Sequence, residues 1–282
     1  SQELRLAGLT RNGSEWVVGL NYAKDETEDR NNIFVATASN VQSLSLTRAD
    51  NYANQEIESI GYFASVDWNL AERTKLTTGV RYTESSRDFE GCTFDPGDGN
   101  ATTAFAAVSA SLRSAVLGLP PLPPGTFVPG GCVTLDSTEY APTTVRDSLD
   151  EDNLSWRLAL EQKVLQDTLL YASVSQGYKS GSFPTISASS PRQYTPVTQE
   201  GVLAYEVGFK SPFLDRTMQL NGSAFYYEYE DKQLRGRIQD PVFSTLQALV
   251  NIPESHAFGA ELDFVWLPID GLTLSANLAY ID

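Results

Sequence analysis

The sequence predicts an all-β fold: an antiparallel up-and-down transmembrane β-barrel, of which this chain supplies about ten strands. Three observations carry the prediction. Apolar residues recur at every second position over successive short stretches, the mark of strands with one oily side and one wet side. Connections alternate strictly between a short turn and a long loop, four times over, and close on a short turn. Aromatic residues sort along the apolar faces, tryptophans toward the turns and tyrosines toward the loops. A soluble sandwich or propeller has no reason to gather its long connections at one end. A membrane barrel does, with short turns on the periplasmic side and long loops outside.

The first hairpin sets Leu4 and Leu6 against Glu3 and Arg5, turns at Asn12-Gly13, and returns through Trp16, Val18, Leu20 and Tyr22. Residues 24–55 are polar and aperiodic and are read as a long loop. Ile60, Tyr62, Ala64, Val66 and Trp68 then alternate with Gly61, Ser65, Asp67 and Asn69, while Phe63 breaks the polar face and is expected to pack inside. After a turn at residues 71–73, Leu76, Thr78, Val80 and Tyr82 alternate with Thr77, Gly79, Arg81 and Thr83. Residues 89–146 form the longest irregular stretch, rich in Gly and Pro, with a short helix expected over 104–117. A structureless stretch of this length is foreign to a compact soluble domain. Leu154, Trp156, Leu158 and Leu160 mark the next strand, and residues 165–167 its turn. A strand over 169–178 leads to a Ser/Pro loop at 179–200. Leu203, Tyr205, Val207 and Phe209 face away from Ala204, Glu206, Gly208 and Lys210. The turn at 211–216 carries Pro212, which presets φ, and Asp215, which can bond its own backbone. The returning strand ends in Phe225, Tyr226, Tyr227 and Tyr229, followed by a loop at 230–254. Phe258, Ala260, Leu262, Phe264 and Trp266, a turn at 268–271, and Leu272, Leu274, Ala276, Leu278 and Tyr280 complete the chain.

Trp16, Trp68, Trp156 and Trp266 are read as the turn-side belt; Tyr22, Tyr62, Tyr82, Tyr178 and Tyr226 or Tyr227 as the loop-side belt. The opposite faces carry Asp67, Arg81, Arg157, Glu161, Glu206, Lys210, Glu261 and Asp263. Charges are costly in a dry core but not in a wet lumen.

Mean hydropathy is −0.25, and no run approaches the ~20 apolar residues of a spanning helix. Barrel strands need only about 10 residues, half of them polar. The net charge of −16 among 282 residues argues against nucleic acid, which needs a basic surface. The lone histidine, His256, has no GxSxG elbow to serve, and Cys/His metal spacing is absent. Neither an enzyme nor a cofactor or metal site is expected. Cys92 and Cys132 would form a disulfide in an exported protein; otherwise they are unrelated thiols. The chain starts at Ser1 without a leader and ends within a strand pattern, so it is expected to be an internal part of a longer protein.

Residues 205–231 (YEVGFKSPFLDRTMQLNGSAFYYEYED), 169–183 (LLYASVSQGYKSGSF) and 256–282 (HAFGAELDFVWLPIDGLTLSANLAYID) resemble, in order and spacing, the barrel of TonB-dependent outer-membrane receptors; residues 1–22 resemble it more weakly. The resemblance implies a 22-stranded barrel in a Gram-negative outer membrane, in contact with outer-membrane lipid and lipopolysaccharide. It implies an N-terminal plug and a TonB box, both outside these residues, through which the TonB–ExbB–ExbD complex would drive uptake. It also implies a scarce ligand, foremost an iron–siderophore complex. Ligand capture would fall to the long loops, with Tyr178, Lys179, Arg192, Arg235 and Arg237 as candidate contacts. Two alternatives stay open: a general porin without a plug, and a soluble secreted β-protein that binds sugar or protein.

Overall fold

The structure is a computed structural model that describes residues 1–34, 46–165 and 167–282. Ten strands form one antiparallel sheet in chain order: β1 (Gln2–Leu9), β2 (Glu15–Phe34), β3 (Arg48–Ala71), β4 (Thr74–Phe94), β5 (Val145–Lys163), β6 (Leu169–Lys179), β7 (Glu200–Phe213), β8 (Met218–Asp240), β9 (Ser244–Ile269) and β10 (Leu272–Ile281). The sheet is open; β1 and β10 are its edges. Among the described residues one α-helix, α1 (Asn100–Leu112), runs into a π-turn at Arg113–Leu117, and a 3₁₀ turn covers Pro191–Tyr194.

Register decides which side chains share a face, because a slip of one residue would turn a strand over. Here the nine registers keep apolar opposite apolar. One row crosses nine strands as Gly8, Trp16, Val66, Thr78, Leu158, Val174, Tyr205, Tyr226 and Phe258. The adjacent row on the other face reads Ala7, Val17, Ser65, Gly79, Arg157, Ser175, Ala204, Tyr227 and Ala257. Tyr226 therefore lies on the apolar face and Tyr227 on the polar one.

Glycines within the strands seat aromatic rings from the facing strand. Gly8 lies opposite Trp16, Gly19 opposite Phe63, Gly208 opposite Tyr171, Gly222 opposite Phe209 and Gly259 opposite Phe225. At Gly19 a Cβ would stand 2.6 Å from both the Phe63 ring and the Leu4 carbonyl oxygen. Phe63 packs on the polar face by this means.

Two stretches read as loops are mostly strand. Over 24–55, β2 continues to Phe34 and β3 begins at Arg48, with Lys24 paired to Glu56 and Glu58 across the ladder; residues 35–45 lie outside the described residues. Over 230–254, β8 reaches Asp240 and β9 starts at Ser244. On β2 and β3 both faces of the extension are largely polar, so the alternation that reveals a strand is lost while the backbone ladder continues. On β8 and β9 the alternation persists, with Leu234, Ile238, Leu246 and Val250 on one face and Gln233, Arg235, Arg237 and Gln247 on the other. Residues 89–146 keep their irregular core, but β4 runs to Phe94 and α1 begins at Asn100 rather than 104. Trp156 also departs from expectation: it pairs with Val80 and Gln176, well above the β5–β6 turn, so it stands in the middle of the apolar face rather than in a turn-side belt. Within that turn Gln166 lies outside the described residues.

Candidate functional site

On the loop side, residues 95–144, residues 180–199 and the tip of the β8–β9 hairpin fold together as a cap. It packs against the polar face of the strand extensions, the side that carries Asn51, Ala53, Gln55 and Phe89. Phe89 stacks on Phe183 at 4.7 Å between ring centroids and meets Tyr194 at 5.3 Å, with Ala53 and Ala188 closing the cluster. A second cluster joins Leu46 and Ala49 to Ala101, Ala104 and Phe105 of α1 and to Val133, Leu135 and Tyr140. Val242 and Phe243, from the β8–β9 tip, pack against it.

Buried polar groups knit the connections together. Thr93 Oγ1 accepts from the Ala188 amide at 2.6 Å, and the Thr134 hydroxyl accepts from the Thr93 amide at 2.9 Å while donating to the Ala188 carbonyl at 2.8 Å. Glu151 accepts from the amides of Gly181 (2.7 Å) and Gln199 (2.6 Å), fixing both ends of the 180–199 loop. A disulfide joins Cys92 on β4 to Cys132, with Cα atoms 5.8 Å apart.

Two carboxylates shape the longest loop. Asp95 accepts from the amides of Gly97, Gly99, Thr102 and Gly130. It caps α1 from outside the helix, where Gly99 holds φ +77 and offers no side chain. Burial pushes the Asp95 carboxyl up, but the Thr102, Gly99 and Gly97 amides and the Thr102 hydroxyl outweigh it and hold it below the usual carboxylate range. Asp136 behaves alike: burial opposes, and the Glu139, Thr138 and Ala141 amides with the Thr138 hydroxyl prevail. Burial also raises the Tyr194 phenol.

The candidate contacts divide. Tyr178 lies opposite Gly201 on the apolar face, away from the cap. Lys179 sits at the cap's edge, 3.9 Å from Glu200. Arg192, Arg235 and Arg237 are exposed at the rim, and no ion pair among the described residues engages them. Gln193 donates to the Gln247 carbonyl at 3.0 Å, and Gln247 is the register partner of Arg237. Arg192 and Arg237 therefore share one part of the rim, with Arg235 two residues along the same strand.

The spacing of aromatics along β8 builds one more feature of the polar face. Phe225, Tyr227 and Tyr229 recur at every second residue on the polar face of β8 and form an aromatic ladder; Phe225 and Tyr227 stack at 4.7 Å. Lys232 lies 4.3 Å from the Tyr229 ring centre and closes the ladder at its upper end.

A protein-family model described as TonB dependent receptor-like, beta-barrel, matches residues 2–282. Among solved structures, the ferric yersiniabactin uptake receptor FyuA from Yersinia pestis is similar at 18% identity and TM-score 0.64, over 99% of this chain and 34% of that one. The siderophore receptor PiuA from Acinetobacter baumannii is similar at 16% identity and TM-score 0.60, over 99% and 37%. The copper transporter OprC is similar at 14% identity and TM-score 0.60, over 99% and 36%. At these identities the likeness shows the fold. The chain spans about a third of the length of these structures.

Proposed function

This chain belongs to the TonB-dependent receptor β-barrel family of the Gram-negative outer membrane, and on that premise we propose that it forms the capture side of an active importer for a scarce anionic ligand, foremost an iron–siderophore complex. The cap receives the ligand at its rim. The Phe225–Tyr227–Tyr229 ladder offers a stacking path into the lumen. Energy reaches the barrel from the TonB–ExbB–ExbD complex through a plug domain outside these residues. The outer wall meets membrane lipid and lipopolysaccharide.

The observation that carries the ligand's charge is the trio Arg192, Arg235 and Arg237: three exposed guanidiniums without ion pairs among the described residues, in a chain of net charge −16. A guanidinium stays charged at any working pH and fits carboxylate and catecholate oxygens with paired donors. Siderophore and copper receptors among the structural neighbours are compatible with a metal-bearing ligand.

The test is uptake of radiolabelled iron by cells making the full-length protein, with a panel of catecholate, hydroxamate and carboxylate siderophores. One class should be taken up in a TonB-dependent way. The Arg192→Ala, Arg235→Ala, Arg237→Ala variant should bind it about tenfold or more weakly. Passage that ignores TonB and shows no saturation would replace this reading with a porin.

A further inference from the structure

Between Asp98 and Asp136 the only charged residue is Arg113. That guanidinium is buried, with Nε on the Pro120 carbonyl at 2.9 Å and Nη1 on the Glu139 carbonyl at 2.7 Å. The surface of this stretch is therefore apolar and neutral. Val116, Leu119 and Val128 are 57%, 42% and 52% exposed. An apolar patch of this kind on a strongly acidic chain marks an interaction surface more often than chance exposure does.

At its centre, residues 119–124 read Leu-Pro-Pro-Leu-Pro-Pro. Each proline ring holds φ near −65°. Leu119, Pro120, Leu122 and Pro123 each precede a proline, which bars the helical region and leaves the extended and polyproline II regions. Four of the six residues have no N–H, so the segment has little to offer a sheet ladder. Both ends are anchored. Gly118, at φ +66, closes the π-turn, and the Leu119 amide donates to the Arg113 carbonyl at 2.9 Å. The Pro123 carbonyl accepts from the Thr126 hydroxyl at 2.8 Å and its amide at 3.2 Å. The segment is thus a stiff rod on the cap, tied to it at Pro120 with Leu122 half-buried, and its four prolines are exposed.

We propose that residues 119–124 are a polyproline II ligand displayed for a partner protein whose groove is lined by aromatic side chains and rimmed with basic ones. Aromatic-lined grooves read such rods through the spaced rings of a PxxP frame, present here twice, as Pro120/Pro123 and Pro121/Pro124. A rod already set in its bound shape loses little entropy on docking. Glu139 lies beside the start of the rod, because its carbonyl and that of Pro120 share the Arg113 guanidinium. Its carboxylate, 3.7 Å from that guanidinium, remains exposed and favours a basic rim. A second copy would bring the same −16 charge and repel. A bilayer surface would call for flanking lysines and arginines, which the stretch lacks.

The test uses the full-length receptor in detergent and, as probes, purified WW and SH3 domains, which read proline rods through aromatic grooves. At least one should bind saturably. Pro121→Ala with Pro123→Ala, and separately Leu119→Asp, should each weaken it about tenfold; the second variant keeps every proline and guards against a folding artefact in the first. No saturable binding, or binding indifferent to both variants, would overturn the proposal. A photo-crosslinking residue at position 122 on intact cells gives a second readout. Adducts mapping to an aromatic groove of another protein support the proposal; adducts confined to a second copy or to lipopolysaccharide overturn it.

Discussion

The Tyr194 hydroxyl donates a 2.8 Å hydrogen bond to Asn51 Oδ1, although 143 residues separate the two in the chain. Both residues are fully enclosed, and the other Asn51 atom, Nδ2, has no partner among the described residues. One bond thus satisfies the buried amide oxygen and ties the 180–199 loop to β3.

Tyr194→Phe should leave the Asn51 side chain unpaired and cost the cap about 1–3 kcal/mol. Hydrogen exchange of residues 180–199 should quicken while exchange in the strands below Glu58 stays unchanged. A uniform change across the sheet would refute this division.

Acid should loosen the cap before it unfolds the sheet. Asp95 and Asp136 are held below the usual carboxylate value, so each adds stability that is complete above about pH 4 and is lost as pH falls through the depressed value. Asp95→Ala should remove the acceptor of four amides, costing about 3 kcal/mol. Proteolysis within residues 95–144, followed from pH 7 down to pH 3, should show the wild-type loop becoming sensitive only at the acid end and the variant sensitive throughout.

Replacing Cys92 and Cys132 together with serine opens a span of 40 residues, worth about 4 kcal/mol of loop order on chain entropy. Cleavage of residues 95–144 should accelerate while the full-length barrel still migrates as a folded species in unheated gels. Loss of the folded band would show that the bond supports the wall as well as the cap.

Gly19→Val should obstruct the β1–β2 pairing, because Phe63 and the Leu4 carbonyl occupy the space a side chain needs. Folded yield in the outer membrane should fall sharply. Gly19→Val combined with Phe63→Ala should recover part of it by vacating one of the two obstacles.

Leu158→Arg and Ser155→Arg offer a paired test of the two faces. Position 158 lies in the apolar row and position 155 on the polar face. A cation facing lipid near the bilayer centre costs about 2–4 kcal/mol, whereas a wet lumen accepts one. Refolding into lipid vesicles should be impaired by the first substitution and nearly unaffected by the second.

The membrane-facing wall was legible because one physical rule, apolar at every second residue, governs it wherever lipid lies on one side and water on the other. The rule fell silent where polar residues occupy both faces of the strand, so Asp25, Glu28, Asn32 and the facing stretch of β3 read as loop despite an unbroken ladder. The cap was illegible for another reason. Phe89, Phe183 and Tyr194 are ordinary aromatics in sequence and become a cluster only after three distant connections meet. Asp95 was missed because it caps α1 from five residues ahead of Asn100 rather than from the adjoining position. Of the candidate contacts, the arginines share the cap's rim, while Tyr178 obeys the alternation of β6 and faces outward.

The length of β3 sets how far the wall stands above the membrane. Its 24 residues extend roughly 80 Å along the strand, or about 55 Å of height at a 45° tilt. An apolar band of about 25 Å accounts for less than half of that. The wall therefore rises roughly 30 Å clear of the lipid. On the function proposed above, a ligand bound at the rim would first meet the protein at the top of a tower and would start its descent shielded from the lipid.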